Sequence, residues 1–209
     1  MTLHIKIFSD YICPFCYIGK GIIDRLKQEF SITEQWLPME IHPETPPEGA
    51  LLSEHLPHID WDDLYRHLRA SGKEFGIIFG EVRLLPNSRQ ALELAEYARE
   101  QGLHDKIHEA LFRAYFTDLR DIGDRQVLLD IACRVGLAPE KAQEALDAGR
   151  YRERLDRVQR EARLREITGV PTFIINDKVI IVGAQPLDVF RKMLSRIQSP
   201  STTTTGNSQ

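Results

Sequence analysis

Apolar residues alternate at the start of the chain. Leu3, Ile5 and Ile7 interleave with His4, Lys6 and Phe8, which predicts a strand with two unequal faces over Leu3 to Phe8. After a loop over Ser9 to Ile12, the period changes. Ile18, Ile22, Leu26 and Phe30 recur at steps of four, the buried stripe of a helix running from Pro14 to about Phe30. Glu34 to Ile41 then reads as a second strand, completing a βαβ unit. The zone from Glu44 to about Arg165 starts in a loop, Pro43 to Gly49, and several helical segments follow, with no strand signal and no internal repeat. Asp60 is placed to cap a helix to about Phe75, Asn87 one to about Gly102, and Asp124 one to Val135 that stops at Gly136. His104 to Leu119 carries Ile107, Leu111, Phe112 and Tyr115 at helical spacing. Pro139 opens a short helix, and Tyr151 to Ile167 is a charged one with Leu155, Val158 and Ala162 on its apolar side. Alternation returns at Thr172 to Asn176 and Val179 to Val182, two strands around an Asn176-Asp177-Lys178 turn. Pro186 starts a last helix to about Ile197.

A βαβ half and a ββα half therefore flank a helical block. One sheet built from both ends of the chain accounts for this arrangement more simply than three independent domains. The expected division is residues 1–43 with 166–198 as the α/β domain, 44–165 as a helical insertion, and 199–209 as a polar, low-complexity, disordered tail. An apolar groove is expected between the sheet and the helical block.

The 209 residues carry 27 Lys+Arg and 31 Asp+Glu, a net charge of −4. That balance gives no basic footprint for nucleic acid or an anionic membrane. No apolar run approaches the roughly 20 residues of a spanning helix. The first eight residues lack the basic and apolar regions of a secretory signal, so the expected compartment is the cytoplasm. The seven histidines fit no H-E-x-x-H or similar spacing, and no resident metal is expected. P-loop and dinucleotide-binding glycine motifs are absent from the sequence.

Cysteine placement changes the picture most. Cys13-Pro14-Phe15-Cys16 falls on the strand-to-helix junction, with Cys13 at the cap and Pro14 in the first turn. Positions i and i+3 share a helix face, so the two sulfurs can approach bonding distance. Free backbone N–H groups and the positive helix end both favour a thiolate at Cys13. This yields a reactive Cys13 with a partner ready to resolve it. Half of a zinc site and an inert pair are the competing readings. A second cysteine pair is lacking, and His4 and His42 are the nitrogen donors a zinc site could draw on. Pro14 between the cysteines fits a capped redox helix better. Cys133, flanked by Ala132 and Arg134 in a helical segment, reads as a buried structural cysteine. Val170-Pro171-Thr172 precedes a strand and reads either as a turn marker or as a cis proline exposing the preceding backbone. Tyr11, Phe15 and Tyr17 flank the cysteine pair either as an apolar substrate rim or as packing. Asn87 is a helix cap or a ligand-facing polar residue.

Together, Asp10 to Gly19, Gly169 to Phe173 and Gly183-Ala184-Gln185-Pro186 resemble the thioredoxin-fold DsbA-like oxidoreductases. The FrnE-like branch, which borders the 2-hydroxychromene-2-carboxylate isomerases, is the nearer likeness. Asn87-Ser88 at a helix start and Leu111 to Phe116 also resemble that branch. The resemblance covers about residues 3 to 197. It implies an α/β, thioredoxin-like fold with a large all-helical insertion between the βαβ and ββα halves. It implies a thiol-disulfide oxidoreductase or isomerase in which Cys13 attacks, Cys16 resolves and cis Pro171 lies beside the disulfide. Tyr11, Pro14, Phe15, Val170 and Asn87 are the expected substrate-binding residues, with the Val170 backbone pairing with a peptide or glutathione strand. No cofactor is implied beyond the redox-active disulfide, with glutathione as a candidate co-substrate. Expected partners are thiol- or disulfide-containing proteins, peptides or glutathione, with no nucleic acid and no membrane, for a monomer or homodimer. The alternative is a glutathione-dependent isomerase or transferase on the same fold, and a non-catalytic thiol-binding module is a further one. Strongly oxidising periplasmic relatives carry histidine where this chain has Phe15, which implies a less oxidising disulfide here.

Overall fold

The computed structural model describes residues 1–199. The expected tail, Ser199 aside, lies outside them. In chain order the first elements are β1 (Leu3–Ser9), α1 (Pro14–Leu26), β2 (Ile32–Pro38), β3 (Ala50–Leu51), α2 (Leu52–His55), α3 (Trp61–Lys73) and β4 (Leu84–Leu85). Then come α4 (Arg89–Glu100), α5 (His104–Phe116), α6 (Arg125–Val135), α7 (Pro139–Asp147), α8 (Arg152–Leu164), β5 (Thr172–Ile175), β6 (Val179–Val182) and α9 (Leu187–Gln198). The sheet order is β2-β1-β5-β6, so both ends of the chain build one sheet. β1 and β2 run parallel from Leu3↔Ile32 to Ser9↔Pro38, with α1 as the crossover. β5 is antiparallel to β1 (Ile7↔Phe173) and to β6 (Phe173↔Ile181).

The alternation in β1 has a physical outcome. Leu3, Ile5 and Ile7 enter the main core with Ile18, Ile22 and Leu26 of α1 and with Phe173, Phe190 and Leu194. Phe8 points the other way, into a smaller cluster with Leu37, Ile174 and the α8 residues Val158 and Ala162. Both faces of the central strand are thus covered at its C-terminal end, as a strand with a parallel neighbour requires. Phe173 and Phe190 meet edge to face at 4.9 Å, which locks α9 to the sheet. At the β5–β6 turn, Asn176 and Asp177 take positive φ (51° and 56°), residue types that tolerate it.

Several sequence expectations need correction. α1 stops at Leu26, four residues short of Phe30, and β2 ends at Pro38 rather than Ile41. Two strands, β3 and β4, pair antiparallel inside the zone expected to hold no strand. At two residues each they are too short to show a period. α4 begins at Arg89; Ser88 before it makes no side-chain cap bond, while Asn87 Oδ1 accepts from Arg89 N (3.1 Å), the capping contact expected of Asn87. Asp60 and Asp124 do cap α3 and α6, accepting from Asp63 N, and from Gln126 N and Val127 N, respectively. Cys133 is exposed rather than buried, because it lies on the outer side of α6 from Leu128, Ile131 and Ala132.

The helical block is tied to the sheet by polar bridges as well as packing. Arg89 donates to Glu40 beyond the end of β2 (2.7 Å) and to Asp156 of α8 (2.6 Å), and Gln159 donates to the Glu40 carbonyl (3.1 Å). Among the described residues no helix is long and apolar enough to cross a membrane.

Candidate functional site

β1 delivers the chain to Asp10, and α1 starts four residues later. The intervening turn is held from inside. Cys13 N donates to the Asp10 carbonyl (3.2 Å), while the Asp10 carboxylate accepts from Ile41 N (2.9 Å) and the Ser88 hydroxyl (3.1 Å). Asp10 is fully buried, and that burial pushes its carboxyl up to about 7 against these donors. One side chain therefore links the cysteine turn, the segment after β2 and the start of α4. The sequence reading assigned it no role. Its only sequence signal is an acidic residue directly after an apolar strand.

Cys13 is the cap residue of α1, with extended backbone (φ −91°, ψ 114°) and Pro14 next in the helix. No side chain caps this end, and the positive end of the helix lies at Cys13. Cys13 is half-buried and Cys16 fully buried, and both are free thiols. Burial raises the Cys16 thiol well above its ordinary value, and its hydrogen bond with Cys13 adds to this. Cys13 Sγ donates to the Val170 carbonyl at 3.3 Å. Val170-Pro171 is a cis peptide, and the Pro171 carbonyl accepts from Gly183 N (2.8 Å). Gly19, one turn beyond Cys16, lets α1 approach this segment: a Cβ there would lie 3.0 Å from Phe173 Cζ and 3.4 Å from Pro171 Cγ.

A cavity of about 250 Å³ opens beside Cys13. Ile12, Cys13, Pro14 and Phe15 form one wall, with Trp61 and Tyr65 of α3 among the residues opposite, and its lining is mainly apolar. Phe15 is 43% exposed at its lip. This is the apolar groove expected between sheet and helical block. A second, shallower groove of about 410 Å³ shares Leu52, Trp61, Tyr65 and Val82 with it but reaches neither cysteine.

Of the expected binding residues, Pro14, Phe15 and Val170 lie beside Cys13. Tyr11 and Asn87 do not. Tyr11 is 3% exposed, its hydroxyl is paired with His108 Nδ1 (2.8 Å), and its ring meets Phe112 edge on. It packs the core rather than forming a rim, and Tyr17 stacks on Phe112 likewise. Asn87 spends its amide on the Thr45 carbonyl (2.6 Å) and its oxygen on Arg89 N (3.1 Å), away from the cavity wall. Trp61, Leu64, Tyr65 and Leu68 on the cavity-facing side of α3 were not singled out from sequence. They carry only the ordinary helical stripe.

The chain that carries this cysteine pair, cis proline and apolar cavity is similar to known proteins. Residues 4–195 match the DSBA-like thioredoxin domain, and the chain belongs to that family. The Bacillus subtilis (strain 168) protein YwbO is 32% identical over 202 residues, covering 93% of this chain and 97% of that one. Among solved structures, the probable DsbA oxidoreductase SCO1869 from Streptomyces coelicolor is similar at TM-score 0.85 and 24% identity, over 93% and 89% of the two chains. A 2-hydroxychromene-2-carboxylate isomerase is similar at TM-score 0.76 and 16% identity, over 93% and 95%. The cytosolic disulfide reductase DsbM from Pseudomonas aeruginosa, solved with GSH, is similar at TM-score 0.67 and 20% identity, over 95% and 100%. The thioredoxin-like fold with a helical insertion is thereby established for this chain.

Proposed function

We propose that this chain is a dithiol–disulfide oxidoreductase in which Cys13 is the nucleophile and Cys16 the resolving thiol. The observation that carries the reading is the asymmetry of the pair. Cys13 is half-open at a cavity lip on a helix N-terminus, while Cys16 is sealed behind it with its thiol held protonated by burial. An attacking thiol must be reachable, and a resolving thiol must be close but shielded from solvent.

In the oxidising direction, a substrate thiolate attacks Cys13 Sγ of the Cys13–Cys16 disulfide. The substrate–Cys13 bond forms as the Cys13–Cys16 bond breaks, and the departing electron pair leaves Cys16 as a thiolate that takes up a proton. A second substrate thiolate then attacks the substrate sulfur and releases Cys13. The substrate has lost two electrons and the enzyme holds two thiols. Run in reverse, the Cys13 thiolate opens a substrate disulfide and Cys16 completes the reduction. The Val170 carbonyl, in contact with the Cys13 sulfur, marks where an extended peptide or glutathione backbone would pair. The GSH bound to the neighbouring DsbM supports a glutathione partner, and that neighbour's cytosolic setting supports a cytoplasmic one here. Pro14 and Phe15 then supply the apolar side of the binding lip.

Trapping tests this. Cys16→Ser lacks the resolving thiol and should accumulate a one-to-one mixed disulfide with oxidised glutathione on Cys13, resolved by mass spectrometry of peptides. With the exposed Cys133 replaced by serine in both variants, Cys13→Ser should accumulate none. Equal trapping on Cys16 would reverse the assigned roles.

The apolar cavity favours a second reading, a glutathione-dependent isomerase acting on a small apolar substrate. That chemistry needs no resolving thiol. Full retention of turnover in Cys16→Ser would support it over the redox reading.

A further inference from the structure

Outside the cysteine site, three side chains bring donor atoms to one point. His42 Nδ1 and Glu44 Oε1 are 3.0 Å apart, His55 Nε2 and Glu44 Oε1 are 3.1 Å apart, and the two imidazole nitrogens are 3.3 Å apart. His42 and Glu44 lie on the segment after β2, and His55 ends α2. We infer that His42, Glu44 and His55 form a binding site for a divalent transition-metal ion of the Zn²⁺ class.

Hydrogen bonding accounts for two edges of the triangle but not for all three at once. Each imidazole nitrogen carries at most one proton in the neutral ring, and the carboxylate carries none. If both nitrogens donate to Glu44 Oε1, two N–H groups confront each other across 3.3 Å. If His42 Nδ1 donates to His55 Nε2 instead, the His55 nitrogen turns a lone pair on the carboxylate oxygen. Either way one edge of the triangle is unfavourable. A cation at the centre uses all three lone pairs together.

The distances agree with that occupant. Donors bound at about 2.0–2.2 Å in tetrahedral geometry lie roughly 3.3–3.5 Å from one another. The observed edges need to open by only a few tenths of an ångström. Two neutral nitrogens and one carboxylate oxygen are a donor set suited to Zn²⁺. Three protein ligands leave a fourth position for water or an added ligand, as catalytic rather than structural sites do. The two histidine side chains are about a quarter exposed and that of Glu44 is 58% exposed, so an ion has a route in. His42, alone of the three, also lines the cavity that Cys13 lines. The inference is independent of the redox reading.

Calorimetry on metal-free protein tests it, with the competing thiol ligands removed by Cys13→Ser, Cys16→Ser and Cys133→Ser together. If that variant fails to fold, the wild type is used with all three thiols alkylated in the unfolded state and refolded, or with its pair oxidised and Cys133 alkylated. Zn²⁺ is the probe. One equivalent should bind, and ¹⁵N spectra should show it at His42 Nδ1 and His55 Nε2 but not at exposed His67. Losing a partner that only orients a ligand costs about 10–100-fold in metal affinity, so His55→Ala and His42→Ala, which remove ligands, should each lose at least about 100-fold. His67→Ala should lose nothing. Absence of stoichiometric binding, or affinity unchanged in His55→Ala, would overturn the site.

Discussion

Replacing Gly19 by alanine probes the contact that holds α1 against the Pro171 segment. The added methyl carbon would sit 3.0 Å from Phe173 Cζ and 3.4 Å from Pro171 Cγ. Ordinary carbon contacts lie at about 3.5–4.0 Å, so the Phe173 contact must widen by about 0.5 Å. Phe173 has little freedom to yield, being fully buried and braced edge to face by Phe190. Overpacking of this kind costs about 1–3 kcal/mol. The gain in helix propensity from glycine to alanine returns about 1 kcal/mol. The expected net is a loss of roughly 0–2 kcal/mol, with α1 moved outward. Cys13 heads the same helix, so its 3.3 Å contact with the Val170 carbonyl should lengthen. Urea unfolding reads the stability, and the rate of Cys13 alkylation in the Cys133→Ser background reads the site. A variant stabilised by about 1 kcal/mol with an unchanged alkylation rate would refute the close approach.

Two further predictions follow from the same geometry. Phe15 is exposed at the cavity lip, so Phe15→His should fold normally and raise the reduction potential of the cysteine pair by at least about 30 mV, tenfold in equilibrium constant. An unchanged potential would sink the argument that an imidazole here favours the thiolate. For pH dependence, burial, then the Arg99 guanidinium, lowers His104 to about 4, and burial holds His108 well below 6.5. The unfolded chain therefore binds more protons below about pH 6.5, and stability should fall as pH drops from there towards 4. Asp10, raised to about 7 by burial, acts oppositely. The folded chain keeps its proton between about 3.8 and 7, so its contribution falls as pH rises through that window. Urea midpoints between pH 7.5 and 4.5 should therefore drop less steeply in His104→Gln and more steeply in Asp10→Asn; the reverse ordering would contradict these assignments.

What was readable in the sequence was periodic or local. Ile18, Ile22 and Leu26 announce α1 because a helix repeats its buried face every turn, and Cys13-Pro14 announces where it starts. What was not readable depends on pairings distant in sequence. The Asp10 carboxylate reaches Ile41 and Ser88, 31 and 78 residues away, and neither partner carries a local signal. Tyr11 neighbours the cysteine turn in sequence but turns inward, because His108 and Phe112 of α5 offer it a partner and a face. His42, Glu44 and His55 have no motif spacing, and only the fold of the β2–α2 segment gathers them. The exposure of Cys133 was misjudged because small neighbours such as Ala132 do not say which side of α6 faces solvent.

A redox titration of the Cys13–Cys16 pair against glutathione, in the Cys133→Ser background, tests the central claim most directly. One reversible two-electron transition, abolished in Cys16→Ser, is the expected result. A pair that never closes under oxidising glutathione would contradict the oxidoreductase reading.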